Sequence, residues 1–174
     1  MTEDEFKKVV KFLKASYPKE KFLETQEQAE VWFAMLKDLP FEPVSLGITQ
    51  WITKNPWTPA ISDIREMCVN VVMGSESSWE NGWDNVMKSI SRYGSYREDE
   101  ALESMDEITR KATATIGFQN ICMTESKDLS IIRAQFRDIY NTLAQSKHDN
   151  ALLPNSVRNA IEQTRLKQLE ANNG

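Results

Sequence analysis

Apolar residues recur along this chain every three or four positions, which is the spacing of one face of an α-helix. Alternation of apolar and polar residues at strand spacing is scarce, and only six glycines and six prolines interrupt the 174 residues. The clearest apolar stripes are Ala29, Trp32, Phe33 and Leu36; Ile61, Ile64, Cys68 and Val71; and Leu129, Ile132, Phe136, Ile139, Tyr140 and Leu143. The pattern predicts an all-α protein built from short amphipathic helices.

Four helices are predicted in the first 74 residues. Capping-box sequences at 2–5 and 25–28 begin the first two, because a threonine hydroxyl and a Glu or Gln side chain three residues later satisfy each other's backbone N–H groups. Pro43 suits the first turn of the third helix. Gly47 has no side chain, so we expect another helix to cross the third one closely at this point.

A stiff turn precedes the fourth helix. Pro56 and Pro59 each fix their own φ and keep the preceding residue extended, so the chain cannot be helical there. Trp57 is held between them on the turn, outside any apolar stripe, which makes it a candidate partner contact. Gly74 is the expected carboxyl-terminal cap of the fourth helix.

A linker is predicted at residues 75–78, which are small and polar without apolar periodicity. It separates an N-terminal helical bundle at 1–74 from a second helical unit at 79–150. A C-terminal helix or tail follows at 151–174.

The second half is predicted to be helical throughout. Ser78 is the expected N-cap of its first helix, and a capping box at 104–107 is expected to open another that ends near Gly117. Residues 146–150 are predicted to be a polar loop. The last helix, at 154–170, has a thin apolar stripe, so it either docks loosely or is presented to a partner.

Composition narrows the functional classes. The net charge of −5 and the isoelectric point of about 5.1 argue against bulk duplex DNA as the main partner. The acidic N-terminus and the lack of a long apolar run predict a cytoplasmic protein with no membrane partner. Cys68 and Cys122 are expected to be buried reduced thiols, and a single histidine predicts no metal site.

Sequence motifs of common enzymes are missing. None of the six glycines is followed by lysine, as the phosphate-binding loop of a nucleotide hydrolase requires, and there is no nucleophile elbow or His-Glu-x-x-His sequence. Paired acidic residues stand mostly at helix starts, where carboxylates favour the helix dipole. We therefore predict a protein that is not an enzyme and has no cofactor.

Two groups of arginines are candidate contacts for nucleic acid or an acidic partner. Arg133 and Arg137 lie one helical turn apart beside an apolar stripe, where they could clamp phosphates; pairing with Asp128 and Asp138 is the simpler interpretation.

Arg92 and Arg97 interleave with Tyr93 and Tyr96, a composition typical of surfaces on which single-stranded nucleic acid stacks. A helix end that is capped by Gly94 and flanked by half-buried tyrosines explains the same residues.

Two motifs resemble those of the phage replicative-helicase loader/inhibitor family. Residues 32–40 read Trp-Phe-Ala-Met-Leu-Lys-Asp-Leu-Pro, similar to the tryptophan helix and Leu-x-Asp-Leu-Pro-like stop of that family. Residues 56–65 read Pro-Trp-Thr-Pro-Ala-Ile-Ser-Asp-Ile-Arg, similar to its Phe-Pro-Pro-Thr-Ile-Ala-Glu-Ile-Arg-like turn and helix. The second half, from the Trp79 and Trp83 pair onward, resembles an extension seen in phage replication proteins.

The chain departs from the family pattern at two positions. Trp57 replaces the usual Phe, and Ala60 stands where the pattern has Thr. Losing that threonine removes a helix N-cap, so Thr58 or Ser62 is expected to cap the fourth helix instead.

The resemblance implies a protein that binds a hexameric DnaB-type replicative helicase, inhibits it and delivers it to an origin-bound phage initiator in the host cytoplasm. It also implies that the C-terminal part engages the helicase, which makes Arg158, Arg165, Leu166 and Leu169 candidate contacts beside Trp57. Two alternatives stay open: direct binding of nucleic acid through Arg92, Arg97, Arg133 and Arg137, and inhibition of a host helicase loader. The phage or host origin of the helicase is open as well.

Overall fold

The computed structural model describes residues 1–74 and 78–172, so the predicted linker lies, except for Ser78, outside the described residues. The described part is helical and contains no strand, which confirms the all-α prediction. Its helices are α1 (Glu3–Ser16), α2 (Gln26–Leu36), α3 (Phe41–Lys54), α4 (Ile61–Met73), α5 (Trp79–Tyr93), α6 (Glu98–Glu103), α7 (Glu107–Ile116), α8 (Phe118–Met123), α9 (Leu129–Leu152) and α10 (Asn155–Asn172).

The chain divides into two compact units. Unit 1 comprises Met1–Gly74 together with Asp149–Gly174, and unit 2 comprises Ser75–His148. The end of α9 and all of α10 therefore fold with the N-terminal helices.

Both helices that open unit 1 begin at the predicted capping boxes. The Thr2 hydroxyl accepts from the Glu5 amide at 3.3 Å, and the Glu5 carboxylate accepts from the Thr2 amide at 2.7 Å. Thr25 and Gln28 make the same reciprocal pair. The core of the unit consists mainly of Phe6, Val9, Leu13, Leu36, Val44, Ile48, Ile64 and Cys68.

Helix α4 begins differently from the expectation. Its N-cap is Ala60, whose backbone N–H donates to the Asp63 carboxylate at 2.8 Å. The prediction that Thr58 or Ser62 caps this helix is therefore wrong, because a carboxylate three residues into the helix reaches back to the free amide. Gly74 caps the other end with a φ of 62°, as predicted.

Helices α3 and α4 cross closely at Gly47, which confirms the role predicted for this glycine. A β-carbon at this position would lie 2.8 Å from the β-carbon of Met67. The Met67 β-carbon is bonded directly to the backbone, so a side chain at 47 would push the two helices apart.

We expect Gly47→Ala to lower the free energy of unfolding by about 1–3 kcal/mol, because overpacking outweighs the gain in helix propensity. Urea unfolding would measure the change. Gln50→Ala, at an exposed position of the same helix, is the control and should change stability little. Equal stability of the two variants would contradict the close crossing.

Unit 2 corrects two predictions. Helix α7 is capped by Asp106, whose carboxylate accepts from the Ile108 and Thr109 amides at 3.1 Å, rather than by a box at 104–107. Ser104 instead donates to the Ala101 carbonyl at 2.6 Å. The predicted loop at 146–150 is wrong, since α9 continues to Leu152; the segment is polar because it is exposed, and it contains neither glycine nor proline to end a helix.

The core of unit 2 is aromatic at its centre. Phe136 is fully buried, and its ring centroid lies 5.4 Å from that of Trp83 and 5.7 Å from that of Tyr140. Val86, Ile108 and Phe118 pack in the same cluster. Gly82 admits Tyr140, whose ring carbon would lie 2.8 Å from a β-carbon added at the glycine.

Both cysteines are free thiols. Cys68 is buried in the core of unit 1, as predicted, whereas Cys122 in unit 2 is only partly buried, which corrects the expectation for that residue. Burial raises the pKa of both thiols. Across 1–74 and 78–172, no three His, Cys, Asp or Glu side chains come together as a metal-binding group. None of the helices described there combines the length and apolar character needed to cross a bilayer.

Candidate functional site

Helix α10 is an exposed arm of unit 1. All of its described side chains, from Asn155 to Ala171, are exposed. They include four large apolar residues, with exposed fractions of 37% to 55%: Val157, Ile161, Leu166 and Leu169. An apolar stripe left in water on a terminal helix has no folding role and is typical of a surface that a partner covers.

The four contact residues predicted on this helix share one face. At about 100° per residue, Arg158, Arg165, Leu166 and Leu169 fall within an arc of about 100°. The same four residues line a shallow cleft together with Asn150 and Leu153, which precede the helix. The structure therefore places two guanidinium groups beside two leucines on one surface, which we call the α10 face.

A buried ion pair lies where α10 begins. The Asp38 carboxylate accepts two hydrogen bonds from Arg65, one from Nη1 at 2.9 Å and one from Nη2 at 3.0 Å. The side chains are only 5% exposed for Arg65 and 12% exposed for Asp38. Arg65 Nη1 also donates to the Met35 carbonyl at 2.6 Å. The paired groups are thus desolvated and well provided with partners, as a buried pair must be.

The same ion pair reaches both ends of the turn between α9 and α10. Arg65 Nε donates to the carbonyl of Leu152, the last residue of α9. Asp38 Oδ2 accepts from the amide of Asn155, the first residue of α10, at 3.1 Å. Carbonyls at a helix end and amides at a helix start lack intrahelical partners. The cation therefore meets the negative end of one helix, and the anion meets the positive end of the next.

The protonation of Asp38 reflects these contacts. Burial alone would raise the pKa of this carboxyl group, but hydrogen bonds from Arg65 and Asn155 and the charge of Arg65 outweigh burial and lower the pKa from its usual value. Asp38 is therefore ionised at neutral pH.

We expect Asp38 to contribute to acid sensitivity. A lowered pKa in the folded state means that the stabilisation is complete above the unfolded pKa of about 4, and is lost as the pH falls through the folded value. Urea unfolding of the wild type and of Asp38→Asn across this range checks the sign. The difference between them should be largest at neutral pH and shrink in acid; a difference that grows in acid would contradict the lowered pKa.

The Trp57 turn is held by its backbone. The Trp57 carbonyl accepts from Trp51 Nε1 at 2.9 Å, and the Thr58 amide donates to the Glu20 carboxylate at 3.0 Å. The Trp57 side chain itself is 55% exposed. The turn thus presents the indole to solvent, and the indole does not fill the bundle core.

The predicted arginine contacts of unit 2 differ among themselves. The guanidinium groups of Arg92 and Arg97 lie 5.3 and 5.2 Å from the Tyr93 ring centroid. Arg133 lies 5.1 Å from the Trp79 ring centroid. Arg137 forms an ion pair with Asp138 at 3.1 Å, which is the simpler interpretation considered for it.

The matched region of the chain includes the whole ion pair. Residues 1–65 match the sequence model of a protein family described as the N-terminal domain of the phage gene 39 protein. The first 65 residues are similar to that domain. The match supports the resemblance to helicase loader/inhibitor proteins, the class to which the gene 39 protein belongs. Searches of curated proteins and of solved structures found no match.

Inspection of the sequence missed the ion pair, although both motifs of the resemblance contain one member of it. Asp38 is the acid of the Leu-x-Asp-Leu-Pro-like stop, and Arg65 ends the second motif. One signal was available: Arg65 is the single arginine of the first 91 residues and adjoins the apolar stripe of α4. Arginine is the cation best suited to a buried bidentate pair.

Proposed function

We propose that this chain is a phage replication protein without catalytic activity that binds the hexameric DnaB-type replicative helicase, inhibits it and loads it at the origin, where a phage initiator receives it. The match of residues 1–65 to the N-terminal domain of the gene 39 protein carries the proposal. Such a protein works in the host cytoplasm and needs no cofactor. It responds to the nucleotide state of the helicase through different affinities for the helicase conformations.

The α10 face is the proposed helicase contact. Its leucines offer apolar area that becomes buried on binding, at roughly 25 cal/mol per Å². Arg158 and Arg165 offer forks suited to carboxylates on the partner. Trp57, exposed on a rigid turn, is a second proposed contact, since a tryptophan loses little conformational entropy on burial and is enriched at the centres of interfaces.

Co-purification with the phage and host helicases, without nucleotide and with ATP or ADP, tests the proposal, together with the rate of ATP hydrolysis by the helicase. We expect retention in at least one nucleotide state and slower hydrolysis. No retention in any state, with unchanged hydrolysis, would exclude helicase binding. Mass spectrometry of co-purified host proteins separates the helicase from a host helicase loader as the direct partner.

Two variants of α10 locate the contact. Leu169→Asp places a charge in the α10 face, and Gln163→Asp places the same charge on the helix outside the arc of that face. Both positions are exposed, so both variants should fold. We expect Leu169→Asp to weaken helicase binding by roughly tenfold or more, as loss of a buried apolar contact costs about 1.5–3 kcal/mol. Equal affinity of the two variants would exclude the α10 face.

Direct binding of single-stranded nucleic acid is a second candidate function, for which unit 2 offers one observation. Tyr96 is 98% exposed beside two arginines for which no ion pair is found across 1–74 and 78–172. Exposed aromatic rings with guanidinium groups form stacking surfaces for bases. Binding of a fluorescent oligonucleotide at low salt should then weaken with added salt and with Arg97→Gln. Failure to bind at low salt would exclude it.

A further inference from the structure

The ion pair of Asp38 and Arg65 serves two helix ends that are remote from it in sequence. Arg65 reaches Leu152, 87 residues away, and Asp38 reaches Asn155, 117 residues away. We propose that this pair is a positioning device that holds α10 on the N-terminal bundle in the orientation in which its exposed face meets the partner. The role in partner binding rests on the function proposed above.

The distribution of burial supports an anchor at the amino end of α10. Leu153 and Pro154 are partly buried, whereas the described side chains from Asn155 onward are exposed. Burial of apolar area therefore contributes little to holding the helix in place. The hydrogen bond from the Asn155 amide to Asp38 lies at the point where the burial stops.

The chemistry of the pair suits it to set an orientation. Hydrogen bonds to charged groups are stronger and more directional than those between neutral groups. The guanidinium of Arg65 is a rigid planar fork, and its contacts with Asp38, Met35 and Leu152 point in different directions. An arm that is already oriented loses less freedom when it binds, so anchoring raises affinity.

A matched pair of variants at one position isolates the anchor. Asn155→Pro removes the backbone N–H that donates to Asp38, and proline is well tolerated at the first position of a helix. Asn155→Ala is the control, because it keeps that N–H. Both variants lose the hydrogen bond between the Asn155 side chain and Arg158. Neither touches the core of the bundle.

Two measurements test the proposal in the full chain. Time-resolved anisotropy of a fluorophore at Gln163→Cys, with Cys68→Ala and Cys122→Ser, reports the freedom of α10. Helicase affinity reports the consequence of that freedom for binding. We expect Asn155→Pro to increase the fast motion of the label and to weaken helicase binding by roughly tenfold relative to Asn155→Ala. Identical behaviour of the two variants would overturn the proposal.

Arg65→Lys provides a second test, because lysine keeps the charge but loses the fork. If both changes act through one anchor, combining Arg65→Lys with Asn155→Pro should weaken binding no more than the stronger single change. Fully additive losses would overturn the shared anchor. A released label with unchanged helicase affinity would overturn the positioning role and leave the proposed function intact. If the wild type does not bind the helicase, the proposed function fails, and the anisotropy alone decides the anchoring.

Discussion

Replacing Arg65 by Met should lower the free energy of unfolding of unit 1 by about 3–5 kcal/mol, because it leaves a buried carboxylate without its counter-ion. The Met35 and Leu152 carbonyls also lose their donor. Methionine has a stem of similar length, so the change removes polar contacts and charge with little loss of volume. Urea unfolding followed by residue-resolved hydrogen exchange measures the loss in unit 1 separately from unit 2.

Two control variants show whether charge is the cause. Arg65→Met combined with Asp38→Asn removes both charges, so it should recover part of the lost stability. Lys7→Met breaks the exposed pair with Asp4 in the same unit and should have little effect. A loss for Arg65→Met as small as that for Lys7→Met would show that the buried pair contributes little.

Replacing Phe136 by Ala should lower the free energy of unfolding of unit 2 by about 3–5 kcal/mol, because a fully buried ring is removed and a cavity is left between Trp83 and Tyr140. If the units fold independently, amide protection in α1 to α4 should stay unchanged while protection in α5 to α8 falls. Hydrogen exchange measures both regions in one sample.

Tyr96→Ala is the matched aromatic control in unit 2. Its side chain is 98% exposed, so its loss should leave stability unchanged. Equal loss of protection in both units of Phe136→Ala would show that the units unfold as one body.

The features predicted well from the sequence are local. The boxes at Thr2 and Thr25 and the glycine cap at Gly74 each depend on residues within one helical turn, and the structure confirms them. The errors arose where two local solutions compete. Asp106 lies two residues beyond Ser104 and takes the free amides of α7, because a carboxylate is the stronger acceptor.

The central feature of the candidate site was beyond reach of periodicity. Asp38 and Arg65 are 27 residues apart, and their further partners belong to the last helices of the chain. Helical spacing places residues on a face but does not tell which distant helix covers it. The α10 face itself was predictable, since Arg158, Arg165, Leu166 and Leu169 share it through spacing alone, although a role for it in binding stays a prediction.

The placement of the two cysteines gives each unit its own chemical reporter of opening. Cys68 belongs to unit 1 and Cys122 to unit 2, and burial raises the pKa of both, so little thiolate is present at neutral pH. A pulse of a thiol-reactive dye modifies each cysteine at a rate set by the opening of its surroundings. Cys122 should react first, since it is less buried. Peptide mapping of the dye therefore times the opening of each half in the unmodified protein, with and without a bound partner.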